Sequence, residues 1–225
     1  GVYVIVDWHD HNAEQHVDQS YAFFRVVSEK YGHSPNIIFE TFNEPENQLW
    51  SQVIKPYHTK IVEAIRAHSQ NLIILGTRTW SQDVDEAAGD PVVGDNLAYA
   101  VHFYAASHRG SLRSKVQAAL SMGVAIVVSE WGTCDSSGNG SLDLAEAAEW
   151  LDFLARHNIS DVYWAISDKR EACSALLPDA PHRGQWALEH LTESGQFVRS
   201  SLRGETCAIP ALSNPASGAD CCCMV

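Results

Sequence analysis

Six short apolar runs, at residues 2–7, 37–42, 72–76, 97–103, 125–129 and 161–165, punctuate the chain at intervals that leave room for a helix between most of them. They are rich in β-branched residues, and several are almost continuously hydrophobic instead of alternating. That is the pattern of parallel strands covered on both faces. The intervening segments 17–30, 50–68, 112–122 and 142–157, and a last one at 194–203, carry apolar stripes of helical period. In the second of these, Ile54, Tyr57, Ile61, Ile65 and His68 step by three and four residues, which turns one face toward a core. Residues 83–89 are too few for a full covering helix. The chain therefore reads as repeated βα units.

Six such units suit either a doubly wound sheet or a barrel, and strand spacing alone does not choose. The strand ends do. Reactive side chains gather just after the runs: His9 and His11, Asn43 and Glu44, Trp80, His102 and Tyr104, Glu130, and Trp164 with Asp168. In a barrel every strand points its carboxyl end at one face, so these residues would ring a single cleft. An eight-unit barrel typically takes about 250 residues. We therefore expect an α/β fold, the (β/α)8 TIM barrel, represented by roughly its strands three to eight. The expected catalytic domain is 1–203. From Gly204 to Val225 proline, serine and glycine replace helical period, which predicts a flexible, cysteine-containing tail or linker.

A formal charge of −13 argues against a nucleic-acid partner. No apolar stretch approaches the roughly 18 residues of a membrane helix, so no membrane partner is expected, and a monomer is. The six cysteines are Cys134, Cys173, Cys207 and the run Cys221, Cys222, Cys223. They match no zinc-site spacing and no Cys-x-x-Cys redox motif. The chain opens with Gly1 and enters a strand-like run at once, as a truncated or processed start would. Asn139-Gly140-Ser141 and Asn158-Ile159-Ser160 fit the glycosylation acceptor pattern, and with it a secreted, extracellular protein is expected.

Glu44 and Glu130 each follow an apolar run and each precede a restricting or bulky residue, Pro45 and Trp131. Two carboxylates across a cleft suit glycoside hydrolysis, one protonating the departing oxygen while the other attacks or activates water on the opposite side of the sugar. The plainer reading, two surface acids, fits an arbitrary glutamate better than a pair placed at strand ends.

The strings Asn43-Glu44-Pro45, His102-Phe103-Tyr104, Ser129-Glu130-Trp131-Gly132-Thr133 and Trp164-x-x-Ser167-Asp168-Lys169 resemble glycoside hydrolase family 5, in its bacterial-type endo-β-1,4-glucanase branch. The segments 54–57 and 76–84 are similar to that branch too, and the resemblance runs to about Arg203. It implies a retaining cellulase acting on β-glucan polysaccharide such as cellulose, with no cofactor and no metal. Glu44 falls at the general acid/base position and Glu130 at the nucleophile, about 5 to 5.5 Å apart, so that the Glu130 charge is expected to keep Glu44 protonated. Asn43 falls where the sugar 2-hydroxyl is bound, and His9 where a strand-end histidine lines the sugar site. Tyr104 is expected to orient Glu130 while His102 supports the cleft. Trp80 and Trp164 match indole platforms for glucose rings, with Lys169 and Glu171 at neighbouring subsites. Trp131 is expected to pack beneath the nucleophile, and Trp50, Trp150 and Trp186 to pack in the core. Cys134 and Cys173, on neighbouring rim loops in the family fold, are a candidate disulfide. The family's first two strands, which bring a cleft arginine and an aromatic platform, have no counterpart here. Glu40 reads as inward-facing, with its counter-ion expected in that missing part.

Three alternatives use the same residues. A mannanase, lichenanase or xyloglucanase would share the catalytic pair. A zinc-dependent amidohydrolase-type barrel would take its ligands from His9, Asp10, His11, His102 and Asp168, and chelators would abolish its activity. A non-catalytic carbohydrate-binding protein would keep the tryptophan platforms and release no reducing ends.

Overall fold

The structure is a computed structural model and describes residues 1–204. The expected tail from Gly204 to Val225, with Cys207 and Cys221 to Cys223, lies outside the described residues beyond its first residue. Six strands, β1 (Val4–Asp7), β2 (Ile37–Glu40), β3 (Ile73–Leu75), β4 (Leu97–Tyr104), β5 (Ala125–Gly132) and β6 (Ser160–Tyr163), form one sheet. Each lies parallel to its sequence neighbour, in the order β1 to β6. β1 and β6 are not paired to each other, so the sheet is a curled, open part of a (β/α)8 barrel.

Helices α1 (Val17–Tyr31), α2 (Lys55–Arg66), α5 (Gly110–Ser121) and α6 (Leu144–His157) return the chain between strands, and α7 (Glu193–Leu202) closes the described part. Between β3 and β4 stand only the four-residue turn α3 (Arg78–Ser81) and the six-residue α4 (Val84–Gly89). The segment expected to run as one helix from Trp50 instead opens with a π-helical turn, Trp50–Ile54, before α2. Ile54, Tyr57, Ile61 and Ile65 face the core as expected, but His68 is exposed, and His58 is the buried histidine. Its Nδ1 lies 2.8 Å from the Thr41 hydroxyl and its Nε2 2.8 Å from the Gly76 carbonyl. Burial pushes its pKa down to about 4.

The core fills the layer between sheet and helices. β4 sends Tyr99, Val101 and Phe103 into it, and Phe103 stacks on Trp150 at 4.1 Å between ring centres and on Trp131 at 5.5 Å. Trp131 thus packs behind the sheet, on the side away from the cleft. Trp50 and Trp150 belong to the same core, whereas Trp186 is half-buried against a small satellite cluster of Leu176, Ala180 and Leu191.

One irregularity matters for the site. Ala100 pairs with Val127 and His102 with Glu130, two residues of β4 against three of β5, and the same extra residue appears where β5 pairs with β6. β5 therefore carries a β-bulge at Val128–Ser129. Strict alternation would send Ser129 and Glu130 to opposite faces; the bulge lets both face the barrel interior.

Candidate active site

The carboxyl ends of the strands open on a cleft of about 550 Å³ lined by Glu44, Trp80, His102, Tyr104, His108 and Glu130, with Thr79, Gln82 and Ser136 at its rim. Glu44 leaves β2 through the Asn43-Glu44-Pro45 turn, and Glu130 sits inside β5, which runs past the expected end at Ser129 to Gly132. Glu44, His102 and Glu130 each offer one ligand atom within 4.8 Å of the others.

Each carboxylate has its own holder. The Tyr104 hydroxyl donates to Glu130 Oε1 at 2.7 Å. His102 Nδ1 lies 2.9 Å from Glu44 Oε1 and 3.9 Å from Glu130 Oε2. His102 and Tyr104 share the inward face of β4, as their two-residue spacing requires. Gly132 makes room for that tyrosine: a Cβ there would sit 2.6 Å from the Tyr104 ring and 2.5 Å from the Cys173 sulfur.

The electrostatics differ from the expectation that Glu130 keeps Glu44 protonated. Burial pushes the Glu44 carboxyl up, but the His102 hydrogen bond and the charges of His102, His11 and His9 outweigh it, and Glu44 sits below its ordinary value. Burial alone would lower His102, yet the carboxylates of Glu40, Glu44 and Glu130 around it raise it to about 10. The partners of Glu40 likewise lie within this chain. Its Oε1 accepts from the Ser129 hydroxyl at 2.5 Å and lies 3.8 Å from His102 Nε2.

Trp80 reaches the cleft through a left-handed turn: Thr79, Trp80 and Ser81 have φ of 58°, 52° and 55°. Each such residue costs about 1–2 kcal/mol. The turn is held by its hydrogen bonds, Thr79 N to the Glu46 carbonyl at 2.9 Å, Trp80 N to that of Pro45 at 2.8 Å, and Ser81 Oγ to that of Asn43 at 2.9 Å. The indole, 41% exposed, is thereby stitched beside Glu44. His108 faces the other wall. Its Nδ1 accepts from the Tyr104 amide at 2.9 Å, and burial lowers its pKa.

Other expected residues lie apart. Asn43 is buried behind the turn. His9 is exposed, 2.7 Å from Asp7, with its ring stacked at 5.5 Å on Trp164. Trp164, Lys169 and Glu171 line a separate recess of about 220 Å³ beside the cleft. Cys134 and Cys173 are disulfide-bonded, tying the loop after β5 to the loop after β6. The ligand set of a zinc reading does not assemble: His11 lies against Glu44 and Glu46, His9 against Asp7, and neither they nor Asp168 joins the Glu44, His102, Glu130 group. Thr79, Gln82, His108 and Ser136 were not expected at the cleft. Only the His102-Phe103-Tyr104 string, six residues ahead of His108, hinted at that wall.

An open part of a (β/α)8 barrel with two facing glutamates at its strand ends defines a class, the glycoside-hydrolase-like barrels. Residues 1–170 match the cellulase family, glycosyl hydrolase family 5, and the chain belongs to it. It is 47% identical over 208 residues to an endoglucanase of Clostridium saccharobutylicum, covering 90% of this chain and 46% of that one. A structure from Cytophaga hutchinsonii superposes with a TM-score of 0.89 at 45% identity, over 91% of this chain and 68% of that one. The catalytic domain of Thermobifida fusca endoglucanase Cel5A in complex with cellotetraose gives 0.85 at 32%, over 90% and 70%. The chain spans about half the length of the curated relatives it matches.

Proposed function

We propose that this site serves the endo-hydrolysis of β-1,4-glucosidic bonds in cellulose, with retention at the anomeric carbon. The observation that carries the reading is the close approach of Glu44 and Glu130, within 4.8 Å across one cleft and held by different partners. So narrow a gap suits a carboxylate that attacks directly; the inverting arrangement needs roughly 6.5–9.5 Å to seat a water.

In this reading Glu130 attacks the anomeric carbon while Glu44 delivers a proton to the departing oxygen. The resulting glycosyl ester is then opened by a water whose proton returns to Glu44. The proton needed for the first step waits on His102 Nδ1, 2.9 Å from Glu44. A sugar entering the cleft excludes water from Glu44, raises its proton affinity and draws that proton across. Trp80 offers an indole face to one ring and Trp164, with Lys169, Glu171 and the stacked His9, to a more distant one, while Asn43, buried behind the turn, holds the backbone that carries Glu44. The cellotetraose bound by the Thermobifida fusca relative, and the names endoglucanase and cellulase given to others, support cellulose as substrate. The disulfide suits an oxidising compartment and so a secreted protein.

Proton NMR of the first products from a cellulose oligomer tests the mechanism: β-anomer is expected first, and initial α-anomer would overturn retention. Glu44→Gln and Glu130→Gln should each lower turnover by at least about 10²- to 10⁴-fold with the fold intact. Turnover that survives Glu130→Gln but not a chelator would favour the zinc reading, and mannan, lichenan or xyloglucan cleaved faster than carboxymethyl cellulose would move the substrate.

A further inference from the structure

Beyond the two holders of the carboxylates, a third acid reaches the site from behind. Glu40 ends β2, is 3% exposed, and among the described residues meets no lysine or arginine. Its neighbour is Ser129, brought to the interior by the β5 bulge. The Ser129 hydroxyl stands 2.5 Å from Glu40 Oε1 and 3.0 Å from His102 Nε2.

A serine hydroxyl has one proton to give. Because Ser129 spends it on Glu40, its oxygen is free only to accept from His102, so Nε2 must carry a hydrogen. That leaves Nδ1 as the one nitrogen whose proton is exchangeable, and it faces Glu44. We propose that Glu40, acting through Ser129, is a positioning residue that locks His102 as the Nε2–H form, so that a single mobile proton is shared between His102 Nδ1 and Glu44. The pair then has two states of equal proton count, imidazolium with carboxylate and neutral imidazole with carboxylic acid, and the second is the general acid. The inference rests on the functional reading above only for what the proton is used for; the lock itself is a property of the fold.

The charged groups facing His102 are Glu40 from β2, Glu44 from the turn after β2, and Glu130 from β5, while Asp7 on β1 acts on Glu40 and His9 and His11 on Glu44. Glu40 is the one of the three carboxylates near His102 that neither lines the cleft nor has a role in bond making. Burial pushes the Glu40 carboxyl above its ordinary value against the pull of His102 and Ser129, and replacing it by an amide, which alters the acceptor that takes the Ser129 proton, should loosen the mobile proton without touching substrate.

The test is long-range ¹H–¹⁵N NMR of the chain labelled at histidine, read against pH, with Glu40→Gln, Ser129→Ala and Ser129→Thr. The parent should show His102 protonated at Nε2 on both sides of its titration. Glu40→Gln should lower its midpoint by about one pH unit or more, a tenfold loss of proton affinity. Ser129→Ala should release the lock and give a mixture of tautomers, and Ser129→Thr, which keeps the hydroxyl, should restore the parent spectrum. In hydrolysis assays the alkaline limb should move to lower pH in Glu40→Gln with KM little changed. A merely structural role would lower the melting temperature and leave the titration alone. A midpoint moved by less than about a third of a pH unit in Glu40→Gln, or pure Nε2–H in Ser129→Ala, overturns the proposal. Should Glu40→Gln fail to fold, the Ser129 pair decides. Because the spectra need no turnover, a failure of the functional reading, shown by hydrolysis indifferent to Glu130→Gln, is distinguishable from a failure of the lock.

Discussion

Breaking the disulfide between Cys134 and Cys173 should cost the fold more than any single contact on the rim. The bond spans 39 residues, and in the chain-entropy treatment a loop of that length is worth about 3.9 kcal/mol at 25 °C. It closes around the whole of α6 and β6, so the restraint acts on a complete βα unit at an unpaired sheet edge. The hydrogen bonds beside it survive its loss: Cys173 N donates to the Gly138 carbonyl at 3.2 Å, and Ala172 N to Asn139 Oδ1 at 3.2 Å. They hold the folded loops but do nothing to the unfolded chain, which is where the bond acts. For a domain of this size about 1 kcal/mol moves the melting temperature by about 2–4 °C, so a fall of about 8–16 °C is expected. Scanning calorimetry of the Cys134→Ala/Cys173→Ala pair, against the parent oxidised and reduced, gives the number. The alanine pair isolates this bond. Ser136 at the cleft and Lys169 and Glu171 beside it ride on the tied loops, so KM for a cellulose oligomer should rise more than kcat falls. A fall in melting temperature below about 3 °C in both comparisons would refute the loop-entropy argument.

Stability against pH should be a dome centred near the ordinary histidine value of 6.5. His58, held near 4, is neutral in the fold and takes up a proton only on unfolding, so stability falls as pH drops from 6.5 toward 4. His102, held near 10, keeps a proton that the unfolded chain releases, so stability is fully present below 6.5 and is lost as pH rises toward 10. Urea midpoints across that range check both slopes, and a flat alkaline side would show that His102 is not held charged. Trp150→Ala, which empties the stack on Phe103 and frees the His108 carbonyl from the indole N–H, should cost about 3–5 kcal/mol by urea unfolding. A loss below about 1.5 kcal/mol would mean that the helix layer collapses to fill the space.

The fold was legible because its signals are local and redundant. The strands are apolar β-branched runs, and the covering helices keep a period that one register satisfies. What escaped depends on neighbours. The bulge in β5 is a mismatch of register with β4 and β6, so Ala125 to Ser129 read as the whole strand and Glu130 as its end. His68 continued the helical spacing, but the chain turns at Arg66, and His58 filled the buried slot because two polar partners were waiting for it. Trp80 was placed at the cleft by its string, yet three successive left-handed residues without a glycine leave no trace in sequence; carbonyls from the Asn43–Glu46 turn impose them. Glu40 was read as inward, but its partner was not, because a serine 89 residues away gives no sign in sequence of being within reach.

The bulge also explains why the two glutamates are not equivalent. Without it, β5 would offer the interior either Ser129 or Glu130: a proton lock with no second carboxylate, or a second carboxylate beside a histidine free to choose its tautomer. One inserted residue supplies both, and it does so on the strand next to β4, where His102 and Tyr104 already share a face. The result is a division of labour set by geometry. Tyr104 donates a hydrogen bond to Glu130 at 2.7 Å, while His102 Nδ1 faces Glu44 across 2.9 Å. Two carboxylates of identical chemistry are set in different surroundings by which β4 side chain each one meets, and the proposed assignment of acid and nucleophile draws on that difference.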